Sequence, residues 1–145
     1  MRVTRYTDYA LRVLMYLAVY EQRVTIADIA TRYGISKNHL MKVVQQLNQL
    51  GYVNAARGKN GGLQLGRLAE DINIGALVRH TEQDFTLVEC FNSDTDTCTL
   101  TSVCRLKGIF SEALAAFLAV LDNYTLADLT PNKKHNTQLL RLLNL

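Results

Sequence analysis

The chain has 145 residues, 48% of them hydrophobic and only one a proline, which is enough apolar material for one compact chain with its own core, built as a small head with an extension. Its formal net charge of +3 hides an asymmetry: residues 1–67 carry ten Lys or Arg against three acids, a balance of +7, and residues 68–145 carry six against ten, a balance of −4. The apolar run at residues 11–19 is interrupted by Arg12 and too short to span a bilayer, so a membrane partner is excluded; with the polar opening Met1-Arg2-Val3-Thr4-Arg5, the chain reads as soluble and cytoplasmic.

The basic half calls for a polyanion, because Lys and Arg neutralise phosphates and release condensed counterions. Ala10, Val13, Leu14 and Leu17 recur at helical spacing, which predicts a first amphipathic helix from residue 7 or 8 to 19. Thr25 is placed as the N-cap of a second, short helix at residues 26–33, with Asp28 near its positive end and Gly34 terminating it. Ser36 is placed as the next N-cap. Leu40, Val43, Val44, Leu47 and Leu50 then form the buried stripe of a third helix that Gly51 stops. Helix, glycine turn, helix is the helix-turn-helix pattern.

Off that stripe lie Lys37, Asn38, His39, Lys42, Gln45 and Gln46, side chains able to reach phosphates or base edges in a major groove, those nearest the N-terminus deepest. Ser36 joins this candidate surface. Residues 52–57 read as a strand, Gly58-Lys59-Asn60-Gly61-Gly62 as a turn and residues 63–65 as the returning strand, which makes the wing of a winged helix. Arg57, Lys59 and Asn60 at its tip are the further DNA-contact candidates. The glycines do not make a phosphate-binding loop of an enzyme, because no terminal Gly-Lys-Ser/Thr and helix follow them.

Ile72, Ile74, Leu77 and Val78 predict a short connecting helix. Val103, Leu106, Phe110, Ala113, Phe117, Val120 and Tyr124 step by three and four residues, widened by Ile109, Leu114 and Leu121. So wide a stripe needs more cover than a small head offers, and a two-fold homodimer supplies it while placing two recognition helices on successive turns of DNA. The expected architecture is mainly α: a winged helix-turn-helix head at 1–80 with a two-stranded wing, a cysteine-bearing loop at 81–105, a long C-terminal dimerisation helix at 101–124 and a tail at 125–145.

All three cysteines, Cys90, Cys98 and Cys104, fall within one fifteen-residue segment. An odd number leaves an intrachain disulfide set incomplete, and the polar, acidic stretch between Cys90 and Cys98 suits an exposed turn, so the cluster reads as a thiolate metal or redox site.

Thr7-Asp8-Tyr9-Ala10-Leu11-Arg12, Ile35-Ser36-Lys37-Asn38-His39-Leu40, the wing Arg57-Gly58-Lys59-Asn60-Gly61-Gly62 and the three cysteines together resemble the iron-sulfur winged-helix repressors over essentially the whole chain. That family includes regulators of the IscR and NsrR types. The wing and the late segment Asp122-Asn123-Tyr124-Thr125-Leu126-Ala127-Asp128-Leu129 are most similar to the nitric-oxide-sensing NsrR type. The first cysteine interval, with seven residues between Cys90 and Cys98, is longer than the family pattern. The resemblance implies a non-enzymatic repressor of nitrosative-stress genes that binds a double-stranded operator. It also implies one cluster per subunit, [4Fe-4S] or [2Fe-2S], with nitric oxide as effector. Three thiolates leave such a cluster one ligand short. His80, His135, Glu89 and Asp8 are the candidates, His39 being better used on the DNA face, and the resemblance favours Asp8 of the opposite subunit. The rival readings are a winged-helix regulator that senses cluster status or oxidants, or binds zinc, through the same cysteines, and a small electron-transfer iron-sulfur protein.

Overall fold

The computed structural model describes residues 2–58 and 61–145; Lys59 and Asn60, two of the wing-tip candidates, lie outside them. Helix α1 spans Arg5–Val19 and begins earlier than its apolar stripe suggests, because the Thr4 hydroxyl accepts from the Thr7 amide at 3.4 Å and so caps the helix three residues upstream. Asp8 consequently sits within the first turn. The stripe buries Ala10, Val13, Leu14, Tyr16 and Leu17.

Helix α2, Ile26–Tyr33, opens with a reciprocal capping box between Thr25 and Asp28 and closes on Gly34, whose φ of 62° is a left-handed conformation that glycine adopts without a Cβ penalty. Helix α3, Lys37–Gln49, buries Leu40, Val43, Val44 and Leu47 against α1 and α2. Ser36 occupies its cap position, yet its side chain makes no capping bond. The wing is β1, Val53–Ala56, antiparallel to β2, Gly62–Leu65, in the register Val53 opposite Leu65 and Ala56 opposite Gly62. Val24 adds a one-residue bridge to Leu63, with bonds of 2.7 and 3.3 Å, and so ties the entry to α2 onto the wing.

Helix α4, Ile74–Thr81, is capped by Asn73, whose side-chain oxygen accepts from the Ala76 amide at 2.9 Å. Helix α5 runs Arg105–Asp122, shorter than the 101–124 read from the apolar pattern: Val103 precedes it and Tyr124 follows it. It rests on α4, where Arg79 clasps Asp122 through bonds of 2.5 and 2.8 Å and Gly75 leaves the space that the Asp122 carboxylate fills. The predicted single seam divides in two. Phe110, Leu114, Phe117 and Leu121 are half-buried; Leu114 and Phe117 wall a cavity of ≈ 320 Å³ with Val78, Phe85 and Leu87. Leu106, Ile109 and Val120 are 53%, 59% and 57% exposed, and no residue of α5 is fully buried.

The segment read as a tail folds back. Two bonds, Ile74 N–H to Tyr124 O and Leu126 N–H to Ile72 O, bring residues 124–126 alongside 72–74, and α6, Leu126–Leu129, and α7, Lys133–Leu142, follow. Leu126, at 0% exposure, and Leu143 belong to the same core as α1, α2 and α3. That single core holds α3 and the wing in fixed relation to α4, from which the cysteine segment departs.

Candidate DNA interface and cysteine segment

Burial of Leu40, Val43, Val44 and Leu47 turns the other side of α3 to solvent, where Lys37, Asn38, His39, Lys42 and Gln45 are all exposed. Asn38, Met41, Lys42, Gln45 and Asn48 line a cleft of ≈ 650 Å³ whose far wall includes Arg57 of the wing. Four predicted residues are therefore brought to one surface. Lys37 lies to one side, beside Gly34, and His39 to the other, beside Arg5. Ser36 is exposed with its hydroxyl uncommitted to the helix.

Two residues of this cleft carry no flag in the polar pattern. Met41 is 48% exposed between the polar side chains, where an apolar group suits a thymine methyl; its position off the buried stripe is the signal that finds it. Asn48 accepts from the Ala55 amide at 3.0 Å and so fixes the angle between recognition helix and wing. Gln46, by contrast, is drawn away from DNA: its side-chain amide donates to the His80 carbonyl at 2.8 Å. The ion pairs among the described residues are Arg12–Asp8 and Arg79–Asp122, so Lys37, Lys42 and Arg57 face solvent with no acidic partner there.

Between α4 and α5 the chain makes a succession of tight turns rather than packed structure. Cys90 lies in a 3₁₀ turn, Glu89–Phe91, and is half-buried. Cys98 is exposed, its amide donating to the Asp96 carboxylate at 3.0 Å, and half-buried Cys104 occupies the cap position of α5 without capping it. All three are free thiols. Among the described residues no three His, Cys, Asp or Glu side chains converge into a ligand set, so the sequence proximity of the cysteines does not by itself produce a gathered site. The reason is local: side-chain turns at Asn92 and Asp96 satisfy this polar segment, and no residue from 89 to 104 is fully buried to draw the thiols together.

Asp8 is 44% exposed and bound by Arg12 at 2.9 Å, one turn along α1. The alternatives are differently engaged: His80 Nδ1 lies 2.9 Å from the Tyr52 hydroxyl, Glu89 accepts from Thr97, and the His135 amide is held by Asn132. Arg12 also stacks 5.8 Å from the centre of the Tyr33 ring, whose hydroxyl burial pushes up to about 12, so that it stays protonated and donates to the Arg12 carbonyl at 3.1 Å.

The start of the cysteine segment is fastened to the head at three successive residues. His80 meets Gln46 and Tyr52; the buried Thr81 hydroxyl accepts from Thr7 at 2.9 Å; the Glu82 carboxylate accepts from the Thr4 amide and hydroxyl at 2.8 and 3.0 Å. The recognition helix and the first turn of α1 are thereby joined to the thiol-bearing segment.

A family profile described as "Rrf2: Iron-dependent Transcriptional regulator" matches residues 3–132. The chain belongs to the Rrf2 family. This Rrf2 chain is 54% identical over 142 residues to the HTH-type transcriptional regulator NsrR of Bacillus licheniformis, covering 97% of this chain and 99% of that one. It is 53% identical over 144 residues to the regulator of the same name from Bacillus subtilis, covering 98% and 99%. Among solved structures it is similar to T. potens IscR, with a TM-score of 0.72, 26% identity and coverage of 90% of this chain and 87% of that one. It is also similar to CymR, the global cysteine regulator of B. subtilis, with a TM-score of 0.70, 26% identity and coverage of 89% and 95%. The Rrf2 protein is a DNA-binding transcriptional regulator of winged-helix fold, and no helix among its described residues is long and apolar enough to cross a membrane.

Proposed function

We infer that this protein is a cytoplasmic, homodimeric repressor of nitrosative-stress genes whose operator affinity is governed by an iron-sulfur cluster responsive to nitric oxide. The observation that carries the reading is the position of three free thiols in the segment that leaves α4 immediately after residues hydrogen-bonded to α1 and α3. The extended resemblance to proteins named NsrR supports the effector. Free thiols suit the reducing cytoplasm.

The donor set fits the group. Cys90, Cys98 and Cys104 would hold the cluster, [4Fe-4S] or [2Fe-2S] and one per subunit, as thiolates, and a fourth ligand is required. Asp8 suits that position from the opposite subunit, since its carboxylate is partly exposed and its partner among the described residues is one exchangeable arginine. When bound, such a cluster supplies iron open to a small diatomic molecule, most readily at a corner held by a hard carboxylate rather than a soft thiolate.

The chain's own part is positional. Residues 80–82 are hydrogen-bonded to Gln46, Tyr52, Thr7 and Thr4, so a shift of the cysteine segment reaches both the recognition helix and the turn that bears Asp8. Two heads held at one spacing bind an operator with high effective concentration, and heads freed from that spacing bind one at a time. Lys37, Lys42, Arg57 and Lys59 then serve as phosphate contacts, with Ser36 and Asn60 as further DNA contacts, while Asn38, His39 and Gln45 read bases.

Anaerobic purification with an absorption spectrum, an iron count and operator titration before and after nitric oxide tests the reading. Visible charge-transfer bands and a loss of DNA affinity with nitric oxide are the expected result. A colourless protein whose affinity answers only to oxidants would replace it with direct thiol sensing, the reading that the exposed thiol of Cys98 favours.

A further inference from the structure

The hydroxyl of Tyr6 donates to the Lys42 carbonyl at 3.1 Å, which holds the first turn of α1 against the N-terminal half of the recognition helix. Beside that bond Arg5, Tyr6, Tyr9, His39, Lys42 and Val43 line one opening of ≈ 150 Å³. Its composition is unusual for a packing defect. Val43, 1% exposed, contributes an apolar floor; two half-buried tyrosines flank it; the guanidinium of Arg5 and the ammonium of Lys42 belong to exposed residues that share the opening. Among the described residues no acidic side chain lines it. Neither Arg5 nor Lys42 takes part in the ion pairs found among the described residues, whereas Arg12, two turns on from Arg5, is paired with Asp8. Like charges held together without a counter-ion raise the local potential and favour an anion between them.

We propose that Arg5, with Tyr9 beside it and Lys42 and His39 across from it, is a phosphate-binding extension of the DNA interface, occupied by the phosphodiester backbone that flanks the major groove. The inference rests on the DNA-binding reading of α3 and extends it onto a second helix. With the N-terminal half of α3 in the groove, the element packed against that half faces the groove's edge, where phosphates are the available acceptors. A planar guanidinium suits a phosphate bidentately, and a tyrosine hydroxyl adds a neutral donor. Such contacts set register and affinity without reading sequence. The strip also bears on regulation, because Asp8 is the residue before Tyr9: whatever binds the Asp8 carboxylate acts on the same helical turn that grips the phosphate.

The test uses full-length protein and a mixed-sequence duplex, with fluorescence anisotropy over about 50 to 200 mM salt. Arg5→Gln should weaken binding and reduce the slope of log affinity against log salt by about one, while Arg5→Lys restores the slope. Thermal melting should be unchanged in both, since Arg5 is exposed and makes no side-chain hydrogen bond among those found. Arg57→Gln on the wing separates the two claims. If Arg57→Gln lowers the slope and Arg5→Gln keeps the wild-type slope and affinity, the extension is wrong and the recognition surface stands; if the wild-type protein does not bind the duplex at low salt, both fall.

Discussion

The side-chain amide of Gln46 donates to the carbonyl oxygen of His80 across 2.8 Å, so the recognition helix is bound to the last turn of α4 just before the cysteine segment begins. One residue from the polar face of α3 is therefore used to join elements rather than to read DNA. Gln46→Ala should lower stability by about 1 kcal/mol, the ordinary worth of one neutral hydrogen bond. Base preference should stay as it is, and the gap in DNA affinity between cluster-bearing and cluster-free protein should narrow. Melting curves and a panel of operator variants measure the two effects; a changed base preference would return Gln46 to the DNA face.

The second tie is buried. Thr7 and Thr81 are 0% and 3% exposed, and their hydroxyls meet at 2.9 Å between α1 and α4. Thr81→Val should cost about 1–3 kcal/mol because it leaves the Thr7 hydroxyl buried with a lost acceptor. Thr7→Val/Thr81→Val should be less destabilised than the sum of the single changes, since no orphaned donor remains at the junction. Denaturant titrations of the four proteins give the coupling directly, and strict additivity would mean the bond contributes nothing of its own.

The helix-turn-helix is legible in the chain because local signals agree: the stripe Leu40, Val43, Val44, Leu47 is buried, Thr25 and Asp28 form the capping box, and Gly34 takes the left-handed turn. The wing is legible for the same reason. What periodicity could not separate is the two sides of α5. Phe117 and Val120 belong to one apolar pattern, and only the placement of α4 and residues 85–87 decides that Phe117 joins the cavity wall while Val120 stays exposed. The return of residues 125–145 to the core is likewise tertiary: one buried Leu126 and one buried Leu143 make no stripe. At the cysteines, proximity in sequence was visible and convergence in space was not, because local turns satisfy that segment without bringing its thiols together.

Acid should loosen the α4–α5 contact. The hydrogen bond from Arg79 holds the Asp122 carboxyl below its ordinary value of 3.8. A depressed carboxyl contributes stability that is fully present above the unfolded value and lost as pH falls through the folded one. Asp122→Asn should therefore melt below wild type at neutral pH, with the difference closing below about pH 3.8. Asp28, lowered by its bonds to Thr25, titrates in the same direction and stays as a shared background in both proteins. A gap that persists unchanged into acid would assign the effect to side-chain shape rather than to the ion pair.

The exposed side of α5 is the surface on which the proposed homodimer would seat its second copy. Leu106, Ile109 and Val120, with Val103 beyond one end and Tyr124 beyond the other, leave an apolar strip that one chain does not cover. Ile109→Glu with Val120→Glu should abolish the dimer, because a two-fold axis would bury like charges without partners at a cost on the order of 3–5 kcal/mol. Phe117→Glu should instead damage the fold, since that side chain walls the cavity it shares with Val78, Phe85 and Leu87 of its own chain. Sedimentation combined with circular dichroism tells them apart: a wild type that is monomeric at micromolar concentration would remove the symmetric reader altogether.

Asp8 and the cysteines should separate cluster assembly from cluster response. On the proposed ligand set each cysteine provides one of three thiolates, so Cys98→Ala should lose iron and tight operator binding together, a cluster with two thiolates being open to solvent. Asp8→Ala leaves all three thiolates in place and also frees Arg12, whose carboxylate partner it removes. Iron content should then remain substantial, while the change in DNA affinity on adding nitric oxide becomes smaller. Arg12→Gln distinguishes the two consequences of that substitution, because it frees the Asp8 carboxylate rather than deleting it and should strengthen, not weaken, ligation by Asp8. Anaerobic iron counts beside operator affinities for the four proteins decide between the roles: a Cys98 variant with full iron and full affinity would sink the cluster, whereas an Asp8 variant equal to wild type in both stability and response would leave the cluster standing and give its fourth position to another ligand.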